Sequence, residues 1–214
     1  GAGARVFLDP QPSSQSPVAE LVRRYPIRSL NVIAHIRKAT QGTVSLENTH
    51  PFMRELWGRY WIFAHNGNLA DYRPALDGSF HPVGQTDSES AFCHLLQMLR
   101  ARFPAGMAQA PELHAAIDEF AALLRPFGPF NFLLSNGDYL FAHRATELHY
   151  VVRQAPFTVA HLKDQDVSID FSEVTGAGDR VALIVTQPLT DNEIWTPLPI
   201  GRVVRFVDGA CLEA

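Results

Sequence analysis

The segment YWIFAHNGNL, residues 60–69, contains the feature that decides the fold: a strand-like apolar run that stops at Asn66-Gly67, directly behind a histidine. An Asn-Gly pair between two alternating apolar runs usually marks a hairpin turn, because both residues tolerate positive φ. Here only residues 60–64 alternate, and the residues after the pair show no alternation and include Pro74. We therefore expect the pair to end a strand for a purpose other than turning the chain back.

Composition limits the classes of protein to consider. The chain has 214 residues, 46% hydrophobic and 19% charged, which predicts one globular domain over residues 1–214. The net charge of −4, without a run of Lys or Arg, argues against nucleic acid and anionic membranes as partners. Cys93 and Cys211 form no disulfide framework or CxxC pattern, which favours a reducing, cytoplasmic setting.

Hydrophobic periodicity predicts strands, then a pair of helices, then more strands, which indicates an α+β fold with antiparallel sheets. Residues 30–37, LNVIAHIR, are expected to form a buried strand. Thr86 with Glu89 three residues later predicts a capping box at the start of a helix. The remaining predicted elements are helices at 16–25 and 111–125 and strands at 5–8, 60–65, 130–136, 137–144, 147–153, 180–189 and 202–209.

Three polar clusters lie at the ends of predicted elements, at residues 35–42, 65–67 and 86–89. Arg37 could bind a carboxylate through both guanidinium nitrogens, or be a surface residue paired with a nearby acid. Asp87 is explained by the helix dipole alone, since acidic residues are favoured in the first turn. Asn66-Gly67 offers a side-chain amide and a backbone N–H, the two donors of an oxyanion hole, although the pair also suits a plain turn.

Taken together, the segments HIRKATQG (35–42), NTHPF (48–52), FAHNGNL (63–69) and TDSE (86–89) resemble the class II glutamine amidotransferases. This is an N-terminal-nucleophile (Ntn) family, and the chain looks most like its small stand-alone members of the YafJ type. The resemblance extends from about Val6 to the last strands. It implies the Ntn-hydrolase αββα sandwich, two stacked antiparallel sheets between helix layers, with the site at one end of the sheets.

The resemblance also implies roles for individual residues. Arg37, with Thr40 beside it, would bind the α-carboxylate of glutamine or of a γ-glutamyl group, and Asp87 would bind its α-ammonium. The side-chain amide of Asn66 and the backbone N–H of Gly67 would form the oxyanion hole. A zwitterionic substrate needs one fixed cation and one fixed anion, and the scissile amide needs donors where negative charge develops.

Two departures from the family pattern are visible. Gln41 stands where many relatives have a histidine after the threonine, which puts any role of that position in doubt. The nucleophile of the family is an N-terminal cysteine whose α-amine acts as base. This chain begins with Gly1, and Cys93 and Cys211 are better explained as small apolar residues. We therefore expect a cysteine-bearing segment upstream of Gly1.

Two other functions are compatible with the sequence. His35, His50 and His65 could be three zinc ligands, although they lack the close spacing typical of such sites. A non-catalytic amino-acid-binding module of the same fold would keep Arg37 and Asp87 equally well. For the enzyme, no cofactor is expected, and ammonia would pass to a separate enzyme or be released by simple hydrolysis.

Overall fold

The computed structural model describes residues 3–25, 27–36, 43–164, 168–171 and 175–212. Three α-helices are present in these ranges, α1 (Pro17–Arg24), α2 (Asp87–Arg102) and α3 (Ala110–Leu124). Short 3-10 helices lie at Leu46–Asn48 and Arg125–Phe127. The strands are β1 (Phe52–Leu56), β2 (Arg59–Gly67), β3 (Phe130–Ser135), β4 (Leu140–His143), β5 (His149–Gln154), β6 (Val159–His161), β7 (Ser168–Asp170), β8 (Arg180–Val185), β9 (Thr196–Pro197), β10 (Val203–Val207) and β11 (Ala210–Leu212).

The main sheet has six antiparallel strands in the order β1-β2-β3-β4-β10-β11. Its first hairpin turns at Trp57-Gly58, where both residues have positive φ (59° and 71°). A two-residue turn of this kind matches the right-handed twist of the paired strands. The Asn136-Gly137 turn between β3 and β4 is also formed, with Gly137 at φ 92° and the Asn136 side chain accepting from the N–H of Tyr139.

Helices α2 and α3 cover one face of the main sheet. Their apolar residues recur at helical spacing and pack against the inward-facing side chains of β1 to β4 and β10. Phe63 of β2 stacks on Phe92 of α2 with ring centroids 5.1 Å apart. The largest fully buried side chains of this layer are Trp61, Phe63, Phe92, Phe120, Phe130, Phe132 and Phe141.

A second antiparallel sheet, in the order β8-β5-β9, packs against the opposite face of the main sheet. Between them lies a smaller apolar cluster, to which Leu140 and Phe206 of the main sheet contribute together with Tyr150 and Ile184 of the second. Two stacked antiparallel sheets with helices α2 and α3 on one outer face are therefore present, which agrees with the predicted α+β sandwich. Among the described residues, α2 and α3 are the helices that contribute to the two apolar clusters, so one of the two helical layers of the αββα arrangement is seen. Strands β6 and β7 form a separate two-stranded ribbon.

Helix α1 begins as predicted. Ser16 caps it by accepting from the N–H of Ala19, and Pro17 occupies the first helical position. The helix contributes no buried residue to the protein.

The predicted buried strand at residues 30–37 is wrong for the part that the structure describes. Residues 30–36 belong to no sheet, and Leu30, Val32 and Ile36 are 83%, 71% and 79% exposed. Only Ile33 packs against the inter-sheet cluster. Residues 5–8, also expected to be a strand, are likewise unpaired. An apolar run becomes a buried strand only where a partner strand and a covering layer exist, and the run itself specifies neither.

None of the helices in the described ranges combines the length and apolar character that crossing a bilayer demands.

Candidate active site

Asn66 and Gly67 are the last two residues of β2, and they pair with Asn131 and Phe130 of β3. Because both residues are paired within this ladder and neither has the positive φ of a hairpin turn, this Asn-Gly pair is not a turn. Glycine is required at position 67 for space: a Cβ there would lie 1.9 Å from the carbonyl oxygen of Pro129 and 2.6 Å from Nε2 of His65. The sequence expectation that the pair ends a strand without turning the chain back is therefore confirmed.

Asn131 fixes this strand end and was not identified from the sequence. Its Nδ2 donates to the carbonyl oxygen of Asn66 (2.9 Å) and to Oγ1 of Thr146 (2.8 Å). Its Oδ1 accepts from the N–H groups of Ala145 and Thr146, both at 2.9 Å. Asn131 is 4% exposed, so these bonds use the hydrogen-bonding capacity of a buried amide in full. Asn131 follows Phe130 inside a strand, and no local pattern distinguishes it from a structural asparagine.

His65 connects β2 to α2 and to the segment before β3. Its Nε2 lies 3.2 Å from the carbonyl oxygen of Pro129, and its Nδ1 lies 2.8 Å from Oγ of Ser88. A carbonyl only accepts, so Nε2 carries the proton, and in a neutral imidazole Nδ1 then accepts from the Ser88 hydroxyl. Burial lowers the pKa of His65 and favours this neutral form, against the opposing influence of the Pro129 carbonyl and of Asp87.

Asp87 is the first residue of α2, and both of its oxygens accept backbone hydrogen bonds. Oδ2 accepts from the N–H of Leu69 at 2.6 Å, and Oδ1 accepts from the N–H of Ser88 at 2.8 Å. Ser88 Oγ also lies 3.3 Å from Oδ1, but its single proton is directed to His65. Asp87 therefore connects the start of α2 to the loop that follows Gly67, which explains its position without a ligand.

The capping box at the same helix start is only half formed. The side chain of Thr86 accepts from the N–H of Glu89 at 3.1 Å, as predicted. The Glu89 carboxylate instead accepts from the N–H groups of Val83 (3.0 Å) and Gly84 (2.7 Å) and pairs with Arg54. Glu89 is 1% exposed, so these partners compensate for the burial of a charge.

A cleft of about 2140 Å³ opens where the two sheets meet. Asn66, Gly67 and Asp87 line it from the side of the main sheet and α2, and residues 181–185 line it from β8. The structure thus brings three of the predicted site residues to one cavity. It places the strand end, with its exposed Asn66 and Gly67, at the wall of that cavity.

Arg37 and Thr40, the predicted carboxylate-binding residues, lie outside the described residues, as does Gln41. The segment that leads to them reaches the cleft, since His35 is among its lining residues.

The zinc alternative concerned His35, His50 and His65. The rings of His35 and His50 lie 4.3 Å apart between centroids. Both nitrogens of His65 face Ser88 and Pro129, and within the described ranges no group of three or more His, Cys, Asp or Glu could hold a metal ion.

Neither cysteine of the sequence has the setting of a nucleophile. Cys93 is fully buried on α2, and burial raises the pKa of its thiol. Cys211 lies in β11 at the far edge of the main sheet and packs against the inter-sheet cluster. Neither lines the cleft.

An Asn-Gly strand end and the Asp87 carboxylate thus lie on one cleft at the junction of two stacked antiparallel sheets. The family model of the class II glutamine amidotransferases matches residues 1–214, and the chain belongs to this family. Its fold is accordingly the Ntn-hydrolase sandwich.

Similar proteins are known from several bacteria. The chain is 53% identical over 209 residues to YafJ of Escherichia coli K12, covering 98% of this chain and 82% of YafJ. It is 50% identical over 209 residues to a Haemophilus influenzae protein, of which it covers 71%. Both relatives are provisionally named glutamine amidotransferases. A crystal structure of a predicted glutamine amidotransferase from Pseudomonas aeruginosa superimposes with a TM-score of 0.75 at 47% identity, over 84% of this chain and 70% of that one.

Proposed function

We propose that this protein cleaves the side-chain amide of glutamine, or of a related γ-glutamyl compound, through an N-terminal cysteine that precedes Gly1. The observation that carries the proposal is the strand end at Asn66-Gly67, which lines the inter-sheet cleft together with Asp87. Membership of the class II glutamine amidotransferases supports it. The position of both cysteines away from the cleft also favours a nucleophile from elsewhere.

In the proposed reaction, the cysteine thiol loses its proton to the α-amine of the same residue and its sulfur attacks the amide carbonyl carbon. The carbonyl oxygen becomes an oxyanion, which accepts hydrogen bonds from the Asn66 side chain and the Gly67 N–H. Collapse of the intermediate breaks the C–N bond and releases ammonia, protonated by the amine. Water then hydrolyses the thioester to yield the γ-carboxylate and the free thiol.

Arg37 and Asp87 hold the amino-acid end of the substrate in this proposal. Asp87 already accepts two backbone N–H groups, and a carboxylate has further lone pairs that can accept from an ammonium. The ammonia passes to a separate acceptor enzyme, or the protein releases it as a hydrolase.

The test of the proposal is the turnover of the natural full-length protein with glutamine and γ-glutamyl amides. Asn66→Ala should lower kcat roughly a hundredfold or more and change KM little, because the amide is directed at charge that exists only in the intermediate. Asn68→Ala, two residues further along the same cleft wall, is the matched control. Equal losses in substrate affinity and rate for Asn66→Ala would contradict the oxyanion role.

The amino-acid-binding alternative differs from the enzyme in turnover, because both functions would bind glutamine through Arg37. Arg37→Lys should weaken glutamine binding by about 2 kcal/mol or more in calorimetry, because an ammonium cannot reproduce the planar guanidinium fork. A protein that binds glutamine through Arg37 but turns over no γ-glutamyl amide, even at full length, is a binding module. Unchanged affinity would remove Arg37 from the site.

A further inference from the structure

The carbonyl group of Asn66 and the N–H of Gly67 belong to one peptide unit at the end of β2. Their peptide bond is trans, and a planar trans peptide directs its C=O and its N–H to opposite sides. The Asn66 carbonyl faces β3, because the side chain of Asn131 in that strand donates to it at 2.9 Å. The Gly67 N–H therefore faces the other edge of β2.

That other edge of β2 is open at Gly67 within the part of the chain that the structure describes. The pairing of β1 with β2 ends at Phe52 and Phe63, before β2 reaches Gly67. Gly67 also lines the inter-sheet cleft. A backbone N–H at the open edge of a strand still requires an acceptor, which a ligand in the cleft can supply.

The orientation of the Asn131 amide is fixed by its hydrogen bonds. Its Oδ1 accepts from the N–H groups of Ala145 and Thr146, both at 2.9 Å. Because Oδ1 must face these donors, Nδ2 faces the Asn66 carbonyl and Oγ1 of Thr146. The reversed amide would place an acceptor against the Asn66 carbonyl and donors against two N–H groups. Only one orientation of Asn131 is therefore compatible with its surroundings.

The connection between β4 and β5, which holds Asn131, is itself anchored away from the cleft. Arg144 donates from Nη1 to the carbonyl oxygen of Leu198 and from Nε to that of Thr146, both at 2.8 Å. The carbonyl oxygen of Arg144 accepts from the N–H of Gly201 at 2.7 Å. None of these four residues lines the cleft. The connection is thus a support for Asn131 that does not depend on the cleft being occupied.

We propose that Asn131 is a positioning residue of the oxyanion hole: it holds the Asn66 carbonyl toward β3 and thereby directs the Gly67 N–H at the oxyanion. Both of its amide hydrogens and its amide oxygen are already bonded within the protein, so it acts through the peptide unit and not on the substrate. Donors held in place beforehand need no reorganisation when charge develops. The inference rests on the proposed function, because the oxyanion belongs to that reaction.

Asn131→Asp separates this role from simple support of the fold. The introduced carboxyl has the shape of the amide and still accepts from the N–H groups of Ala145 and Thr146, but when ionised it has no proton for the Asn66 carbonyl. When protonated at low pH, it donates to that carbonyl again. The kcat of the variant relative to that of the unsubstituted protein should therefore rise as pH falls.

The variants are made in the natural full-length protein and compared at a temperature at which all are folded. Asn131→Asp should lower kcat for a γ-glutamyl amide about tenfold or more at about pH 8 and change KM little, with part of the loss recovered toward about pH 5. The matched control is Asn136→Asp, directly after the opposite end of β3. Asn136 is also buried, and its Oδ1 likewise accepts two backbone N–H groups. This control should show no pH-dependent loss of kcat.

A second measurement needs no turnover. The amide chemical shift and the hydrogen-exchange rate of Gly67 report the surroundings of its N–H, and Asn131→Asp should change both more than Asn136→Asp does. If the unsubstituted protein cleaves no γ-glutamyl amide, the proposed function fails and the catalytic part of this inference fails with it. The Gly67 amide then still shows whether Asn131 directs that N–H.

If Asn131→Asp does not fold, Thr146 supplies the test, because it is exposed and its Oγ1 accepts from Nδ2 of Asn131. Thr146→Val removes this acceptor and should lower kcat about threefold or more at unchanged KM, whereas Thr146→Ser retains the hydroxyl and the rate.

In a protein that turns over γ-glutamyl amides, the inference is overturned if Asn131→Asp and Asn136→Asp have the same kcat, or if the loss in Asn131→Asp does not vary with pH. It is also overturned if the Gly67 amide is the same in these two variants, or if Thr146→Val, used in their place, is as active as Thr146→Ser.

Discussion

At the scale of single residues, position 67 is limited by space rather than by backbone conformation. A Cβ there would overlap the Pro129 carbonyl and the His65 ring. Overlap with backbone cannot be relieved by a side-chain rotation, so Gly67→Ala should cost about 1–3 kcal/mol of unfolding free energy. It should also displace the Gly67 N–H and lower turnover. Urea denaturation together with the glutaminase assay measures both effects.

The matched control for this change is Gly178→Ala, because a Cβ at position 178 would meet no atom within 4 Å. It should leave stability within the range of ordinary surface substitutions, about 0.5 kcal/mol either way. A Gly67→Ala variant as stable as this control would show that the β2 end tolerates a side chain.

Asp87 combines a structural role with a proposed role in binding. Asn at this position retains one acceptor oxygen, so either the Leu69 or the Ser88 N–H loses its partner. Asp87→Asn should therefore lower the unfolding free energy by about 1–3 kcal/mol. Glutamine affinity should fall by more than the lower fraction of folded protein accounts for, because the substitution removes the proposed partner of the substrate ammonium.

Thermal melting and calorimetry on the same preparation separate the two roles of Asp87. A lower melting temperature with unchanged glutamine affinity would show that Asp87 only connects α2 to the loop after β2 and does not bind the substrate.

At the scale of elements, His65 joins three segments, and two substitutions test its bonds separately. Gln can place its Nε2 near the former ring Nε2 and donate to Pro129, whereas Asn can reach only the position of Nδ1 beside Ser88. We expect His65→Gln to retain more turnover than His65→Asn, since the Pro129 contact lies directly against Gly67.

Ser88→Ala removes the other bond of His65. Ser90→Ala is its control, because Ser90 Oγ donates to the carbonyl oxygen of Thr86, the residue that caps the same helix. Ser88→Ala should lower kcat more than it raises KM, since it loosens the ring that supports the Gly67 N–H. Equal kinetics for the two serine variants would show that the His65–Ser88 hydrogen bond does not help to position the Gly67 N–H.

Most elements could be predicted from the sequence because their periodicity and end residues agree, as at Thr86 for α2 and Ser16 for α1. The Trp57-Gly58 turn was missed, since tryptophan at positive φ is unusual and gives no signal. Residues 30–36 were mispredicted because an apolar run does not show whether a partner strand is present.

At the scale of the whole molecule, buried neutral histidines make stability depend on pH. Burial holds the folded-state pKa of His65 and His143 below the ordinary imidazole value. Below about pH 6.5 the unfolded chain then binds protons that the folded chain does not, so the contribution of these two groups to stability is fully present above this pH and decreases as pH falls below it, by at most about 1.4 kcal/mol per pH unit for each imidazole.

Urea denaturation between about pH 7.5 and about pH 5 measures this slope. His143→Phe should make the slope shallower, because it removes one of these buried imidazoles. A slope equal to that of the unsubstituted protein would contradict the neutral state assigned to His143.

The candidate site could be predicted only in part, because some of its residues act through contacts between segments that are distant in the sequence. The segments with Asn66, Gly67 and Asp87 were identified by motif, and the structure places these residues on one cleft. Asn131 and Ser88 act through contacts between distant segments, across 65 and 23 positions of the chain. Bonds of that kind leave no local pattern in a single sequence.

Helix α1 has a consequence for how the protein is degraded. A helix that buries no residue can open without disturbing either sheet, so its opening costs little compared with global unfolding. Arg23, Arg24 and Arg28 are exposed in and just after it. Trypsin should therefore nick the chain here first, and the fragment that retains α2, α3 and the six-stranded sheet should persist long after the first cut.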